Sequence, residues 1–255
     1  MKLVIDIGNS NIVFAFNNGN WESVKRIETN HEQSPVFYQS VLSNHMLEEG
    51  IPSQSISHVY ISCVVTEVME PIVEAMSGYL GLTPLVMEPD LYLHTDMHIP
   101  KPYEIGSDLV GNAYAYCKKM KGVGIVVDFG TALTFTVVNA DDGIQGVTIA
   151  PGIKTAIKSL FLGTSMLPEV PVLMPTSAIG KNTQHAIQSG VMWGYLGLVK
   201  EVVNQIKAEY DMPVTVVATG GLCHAIPQLS EIIDHYDMNF TLEGIMMICD
   251  DYLAS

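Results

Sequence analysis

Two stretches of the chain set an aspartate at the end of an apolar run and follow it with glycine and small polar residues. One is Val4-Ile5-Asp6-Ile7-Gly8-Asn9-Ser10-Asn11, the other Val126-Val127-Asp128-Phe129-Gly130-Thr131-Ala132. Such a turn suits an anion, because glycine admits close approach and the turn N–H groups, with Asn, Ser or Thr side chains, donate to phosphate oxygens. The aspartate cannot contact phosphate favourably; it can hold a cation or the water shell of Mg²⁺. Two such turns facing each other would grip the phosphates of a nucleotide from both sides. A third piece, Thr219-Gly220-Gly221, follows an apolar run, and its glycines could let an adenine lie against bare backbone. A plain strand-to-helix turn has the same sequence pattern.

The elements that must position these turns are legible in outline. Lys2 to Ile7 and Ile12 to Phe16 are apolar and β-branched on either side of a turn cluster, as are Gly124 to Val127 and Leu133 to Val138 around the second. The two aspartates lie 128 − 6 = 122 residues apart, close to half the chain, and this repetition suggests an internal duplication. Residues 33–50 have a helical pattern, His58 to Val65 a buried-strand pattern, and a helix follows to about Gly78. Pro84 to Met87 is a short apolar run, and 88–103 is a loop with prolines at 89, 100 and 102. A helix follows Ser107 and Asp108, either of which can cap it. Another starts at Ile153. A long one begins near Asn182 or Thr183, with Ile187, Val191, Gly194, Leu198, Val202 and Ile206 at spacings of three and four. Val214 to Ala218 is a last buried strand. Strands alternating with helices place the chain in the α/β class.

Composition sets the outer limits. The 255 residues are 48% hydrophobic and 15% charged, enough to bury a sizeable core in one large domain or two modest ones. Twelve basic against 27 acidic residues leave a net charge of −15, which argues against binding DNA or RNA along its phosphates. Arg26 is the only arginine. The four cysteines are widely spaced with no C-x-x-C pair, suggesting neither zinc nor a disulfide framework but free thiols in a reducing cytoplasm. Asp6 interrupts the N-terminal apolar run, so a signal peptide is not expected, and there is no apolar stretch long enough for a membrane span.

These pieces, in this order, resemble the acetate and sugar kinase/Hsp70/actin superfamily and, within it, the type III pantothenate kinases. The match rests on Asp6-Ile7-Gly8-Asn9-Ser10-Asn11, Pro102-Tyr103-Glu104-Ile105-Gly106-Ser107-Asp108 and Asp128-Phe129-Gly130-Thr131-Ala132. It continues through Ile149-Ala150-Pro151-Gly152, Leu167-Pro168-Glu169-Val170, Gly180-Lys181-Asn182-Thr183, Ser189-Gly190, Thr219-Gly220-Gly221 and Thr241-Leu242-Glu243-Gly244. The resemblance implies two duplicated actin-like (ribonuclease H-like) domains, drawn here as 1–122 and 123–255, with the nucleotide in the cleft between them; the last helix can also pack back onto the first domain. It implies phosphorylation of pantothenate by ATP with Mg²⁺ to 4′-phosphopantothenate, the first step of coenzyme A biosynthesis, in a cytoplasmic homodimer.

Roles follow from the same resemblance. Asp6, Ile7, Gly8, Asn9, Ser10, Asn11, Ile12 and Val13 would form the first phosphate loop, with Asp6 holding Mg²⁺ through water. Thr131 would contact ATP from the second loop, and Gly220 and Gly221 from the adenosine side. Asp108 would be the base that deprotonates the pantothenate hydroxyl, and Gly106, Ser107, Asp108, Leu109 and Thr183 would touch pantothenate. Asp128 would bind a monovalent cation, K⁺ or NH₄⁺. General chemistry agrees on Asp108, since phosphoryl transfer needs alignment, charge neutralisation and a carboxylate within reach of the acceptor hydroxyl.

The chain also departs from the pattern of the family it resembles. Leu109 stands where an arginine is usual, and leucine can neither pair with a carboxylate nor donate a hydrogen bond; Lys101, Lys154 or Lys181 are the candidates to compensate. Leu133 and Thr136 stand where threonine and aspartate are expected, and Ile99 where a tyrosine is frequent. The ATP half therefore fits better than the pantothenate half. A kinase for a related small hydroxyl compound and an ATP-binding accessory or regulatory protein are the competing readings. With almost no arginine to meet two anionic substrates, activity is expected to depend strongly on cations.

Overall fold

The computed structural model describes residues 1–255, and the chain separates into two compact units. The first comprises Met1–Ala115 with Thr241–Ser255, the second Tyr116–Phe240.

In the first unit, β1 (Lys2–Ile7), β2 (Asn11–Asn17) and β3 (Trp21–Glu28) run antiparallel in a meander. Helix α1 (Pro35–Glu48) returns the chain to β4 (His58–Cys63), parallel to β1, and α2 (Thr66–Leu80) leads to β5 (Leu85–Val86), parallel to β4. The sheet order is β3-β2-β1-β4-β5. Leu3, Val4, Ile5 and Ile7 are all fully buried, so β1, central between antiparallel β2 and parallel β4, is covered on both faces. A short α3 (Pro89–Tyr92) and α4 (Ser107–Lys119) follow, and the unit boundary falls inside α4.

The second unit repeats the plan. Strands β6 (Val123–Phe129), β7 (Ala132–Asn139) and β8 (Gly143–Pro151) form an antiparallel meander. Helices α5 (Ile153–Leu162) and α6 (Thr183–Ala208) precede β9 (Thr215–Thr219), parallel to β6, and β10 (His235–Tyr236) lies parallel to β9. The order β10-β9-β6-β7-β8 is that of the first sheet, counted from each unit's opening strand. The duplication suggested by two aspartates is thus a duplication of topology.

Several elements differ from the sequence reading. Strand β3 has no long apolar run; it alternates half-buried and exposed positions as an edge strand does, and only its partner β2 makes it a strand. Strand β8 is likewise half exposed and pairs along its length with β7. The 88–103 stretch holds α3. Helix α4 opens at Ser107, so Ser107 and Asp108 lie in its first turn rather than capping it from outside.

The last helix, α7 (Phe240–Ala254), groups with the first unit, whereas the 1–122 and 123–255 division assigned it to the second. Its packing supplies the reason. Bare Gly244 lies against bare Gly111 of α4, and a Cβ at Gly244 would overlap the Gly111 backbone. Beside this crossing the buried Thr241 hydroxyl donates to Asn112 Oδ1 at 2.8 Å. Further along, Asp250 accepts from Tyr60 at 2.7 Å and pairs with Lys2 at 2.6 Å, while Tyr114 donates to Asp251.

Candidate functional site

In the first unit Asp6 is the penultimate residue of β1, in register with Val13 on β2 and Ser62 on β4. The Gly8 N–H donates to the Asn11 carbonyl at 3.0 Å, closing the turn. Thr29, just past β3, ties that turn down: its N–H donates to the Ser10 carbonyl at 3.1 Å and its hydroxyl to the Gly8 carbonyl at 2.6 Å. Asn9 and Ser10 are exposed, whereas Ile7, Ile12 and Val13 are buried in the unit. Within the predicted phosphate loop the latter three can therefore meet a ligand only through backbone.

The same end of this sheet carries the start of α4. Ser62 Oγ and Ser107 Oγ are hydrogen-bonded at 2.9 Å, both buried. Asp108 follows Ser107, so register and one hydroxyl pair bring the neighbourhoods of Asp6 and Asp108 together from positions about a hundred residues apart. Asp108 Oδ1 accepts the Leu109 N–H at 2.9 Å and leans over Gly106, where a Cβ would run into it. Burial pushes the Asp108 carboxyl above the usual carboxylate range, opposed by backbone N–H groups of Leu109 and of Asp108 itself. A desolvated carboxylate with a raised pKa is suited to accept a proton.

Leu109 is itself buried, 8% exposed, and continues the apolar face of α4 with Val110 and Ala113. Of the three lysines considered as substitutes for an arginine, Lys101 lies in this unit, exposed and paired with Glu104 at 3.0 Å. Lys154 and Lys181 are exposed residues of the second unit.

In the second unit Asp128 is again penultimate on its strand, in register with Thr134 on β7 and Thr219 on β9. Gly130 N–H donates to the Ala132 carbonyl at 3.1 Å. The Thr131 carbonyl accepts from Gly152 N–H at 2.9 Å and from Thr155 Oγ1 at 2.7 Å, which fastens this turn to the start of α5. Gly152 must be glycine, since a Cβ there would strike the backbone of Gly130 and Thr131. Gly220 has φ +87°, and a Cβ on it would lie 2.5 Å from Asp128 Oδ1 and 2.7 Å from the Phe129 nitrogen. Close approach of the aspartate is thus a visible reason for this glycine. Gly221 is exposed, and Thr183 is exposed in the first turn of α6, whose N-cap Asn182 accepts the His185 N–H at 2.9 Å.

Sequence patterns did not single out Thr29, Ser62 or Thr134, and took Thr219 only as the first residue of the Thr219-Gly220-Gly221 turn. Their signal is strand register, which exists only once the sheets form. The hydroxyls of Thr134 and Thr219, with that of Thr136 further along β7, are buried without a hydrogen-bond partner. No group of three or more His, Cys, Asp or Glu side chains is placed to hold a metal ion.

Two units of identical strand order, each turning through Asp-x-Gly at the end of its first strand, define the actin-like sugar-kinase fold. Solved structures agree on the fold. A Baf family protein of Campylobacter jejuni superposes with TM-score 0.58 at 19% identity, over 99% of this chain and all of that one. The ethanolamine utilization protein EutJ of Carboxydothermus hydrogenoformans gives 0.57 at 16% identity, over 97% and 89%.

The particular family comes from sequence. The model of type III pantothenate kinases matches residues 2–205. A type III pantothenate kinase of Exiguobacterium is 35% identical over 249 residues, 97% of this chain and 98% of its own length. Another from Dinoroseobacter shibae is 37% identical over 250 residues, 97% of each chain. The chain belongs to the type III pantothenate kinase family, and a kinase of this family works with ATP and a divalent metal ion.

Proposed function

We propose that the protein transfers the γ-phosphate of ATP to the hydroxyl of pantothenate, giving 4′-phosphopantothenate, the first step of coenzyme A biosynthesis. The observation that carries the reading is Asp108. Its carboxylate is held over Gly106 at the start of α4, its pKa is raised by burial, and it sits in the family's Gly-x-Asp turn. Asp108 accepts the hydroxyl proton as the oxygen attacks phosphorus. Gly106, Ser107, Leu109 and Thr183 orient pantothenate. The turn N–H groups and polar side chains of Asp6 to Val13, with Thr131, bind the ATP phosphates, and Gly220 and Gly221 lie on the adenosine side.

The divalent ion neutralises charge on the phosphates when bound. With no all-protein cluster to hold it, Asp6 would do so through water, as Mg²⁺ chemistry favours. Asp128 binds a monovalent cation, and the unpartnered buried hydroxyls beside it fit such an ion. The enzyme is a homodimer of the cytoplasm; no helix is long and apolar enough to cross a membrane.

The test is a coupled assay of ADP release with and without pantothenate. Pantothenate-dependent turnover is expected; nucleotide binding without it would overturn the reading in favour of an accessory role. Leu109 favours one second reading, a kinase for a related small hydroxyl compound, because a buried leucine gives no charged contact to a carboxylate. Faster turnover of an uncharged pantothenate analogue, such as its amide, would establish it. Sedimentation at assay concentration checks the dimer.

A further inference from the structure

The strand ends that carry Asp6 and Asp128 are equivalent in the two sheets, and their flanking residues are not. Asp6 lies between Val13, an apolar residue, and Ser62, whose hydroxyl is taken by Ser107 at 2.9 Å. Asp128 lies between Thr134 and Thr219, one on each neighbouring strand. Directly paired residues project from the same face of a sheet, about 4.5–5.5 Å apart between Cβ atoms. The row Thr134-Asp128-Thr219 therefore presents a hydroxyl, a carboxylate and a hydroxyl from three adjacent strands.

Both hydroxyls are buried, Thr134 8% and Thr219 0% exposed, and neither has a hydrogen-bond partner within the protein. Leaving a buried hydroxyl unsatisfied costs about 1–3 kcal/mol, so two beside one carboxylate call for a ligand that uses them. Threonine oxygen has lone pairs to give, and the row offers three oxygen-bearing side chains carrying one negative charge. One charge with neutral oxygens suits a large monovalent cation better than Mg²⁺, which demands near-ideal octahedral geometry and parts reluctantly with its waters. Gly220 adds to the shape: its missing side chain leaves room for Asp128 Oδ1 at this strand end.

We infer that Thr134 and Thr219 are ligands, with Asp128, of the monovalent cation, through their side-chain oxygens. The inference rests on the proposed cation role of Asp128 and extends it to two residues that carry no charge. It also explains why the second turn, rather than the first, would select a monovalent ion. At the first turn the corresponding positions offer a methyl surface and an occupied hydroxyl.

The test reads binding without turnover. Thermal unfolding of the full chain, without nucleotide, is followed while KCl replaces choline chloride at constant ionic strength, with NaCl as a parallel series. A ligand that binds the folded state raises Tm in a saturable way. Wild type is expected to show a saturable rise with potassium, and Thr134→Val and Thr219→Val each to move its midpoint upward about tenfold or more. Thr134→Ser, which keeps the oxygen, should restore it. In choline alone the valine variants should unfold at or above the wild-type temperature, because an unsatisfied hydroxyl has been removed; this separates lost binding from lost folding. Unchanged midpoints in both valine variants, with the rise abolished in Asp128→Asn, would overturn the assignment of the threonines and leave Asp128 standing. No potassium-specific rise in wild type, or a wild-type titration in Asp128→Asn, would overturn the cation reading itself.

Discussion

The two units share a strand order and an aspartate at the same place, yet they differ in what surrounds it. Around Asp6 the first unit is closed. Val13 is apolar, Ser62 is bonded to Ser107, and Thr29 holds the turn from behind. Through Ser107 that end of the sheet is tied to the helix start bearing Asp108. Around Asp128 the second unit keeps two buried hydroxyls without protein partners. Duplication thus preserved the backbone position of an acidic residue, while the residues in register with it divided the labour. One copy is tied through Ser107 to the helix bearing the proposed base, and the other keeps the two hydroxyls proposed as ligands of an ion. A repeated motif identifies equivalent places, and the neighbours across the sheet decide their chemistry.

The sharpest break of this comparison is at the carboxylates. Asp108→Asn should lower kcat by about 10²–10⁴-fold, as loss of a general base does, with ATP affinity nearly unchanged. Asp128→Asn should instead abolish the potassium dependence of Tm while leaving a larger share of kcat. Equal kcat losses with no difference in cation response would erase the division of labour.

Next come the glycines at the paired strand ends. Gly220→Ala must put a Cβ against Asp128 and Phe129 at a positive φ, so a loss of about 1–3 kcal/mol in chemical denaturation is expected. Gly8→Ala meets the Asn11 carbonyl at 3.3 Å with no positive φ and should cost well under half of that, roughly 0.5 kcal/mol. Similar losses at both would show that the second turn is no tighter than the first.

Titration gives a smaller, signed effect. Because burial raises the folded-state pKa of Asp108, its ionised form carries an unfavourable term in the native protein. The acid limb of the kcat profile should lie above the usual carboxylate range. The stability sign follows: relative to Asp108→Asn, wild type is best matched at pH below the ordinary aspartate pKa and loses ground as pH rises through the raised value. Denaturation midpoints of the two proteins across that window check it; a gap independent of pH would remove the buried-base argument. A modest effect is expected from Thr29→Val, which deletes the hydroxyl bond to Gly8 and should cost about 1 kcal/mol while leaving the second turn's cation response intact.

Much of this was legible in the chain. The Asp-x-Gly repeats, the long α6 and the central strands β1, β2, β6, β7 and β9 announce themselves because apolar runs bounded by turn residues have few other uses. Edge strands β3 and β8 do not, since each is half solvated and acquires its conformation from one partner. The placement of α7 was open between the two units. It depends on two glycines, Gly111 and Gly244, meeting across about 130 residues; Gly244 stands in the Thr241-Leu242-Glu243-Gly244 motif, but neither residue announces its partner.

What the sequence determined by itself is the family, the α/β duplication and which acidic residues are proposed for the chemistry, all encoded in local patterns of apolar runs and turns. What only the tertiary structure decided is which hydroxyls stand beside those acids and which of them are already engaged. Ser62, Thr134 and Thr219 are ordinary residues in apolar strands until pairing sets them level with an aspartate. Register is a non-local property, because a shift of one residue would turn each side chain to the opposite face of its sheet.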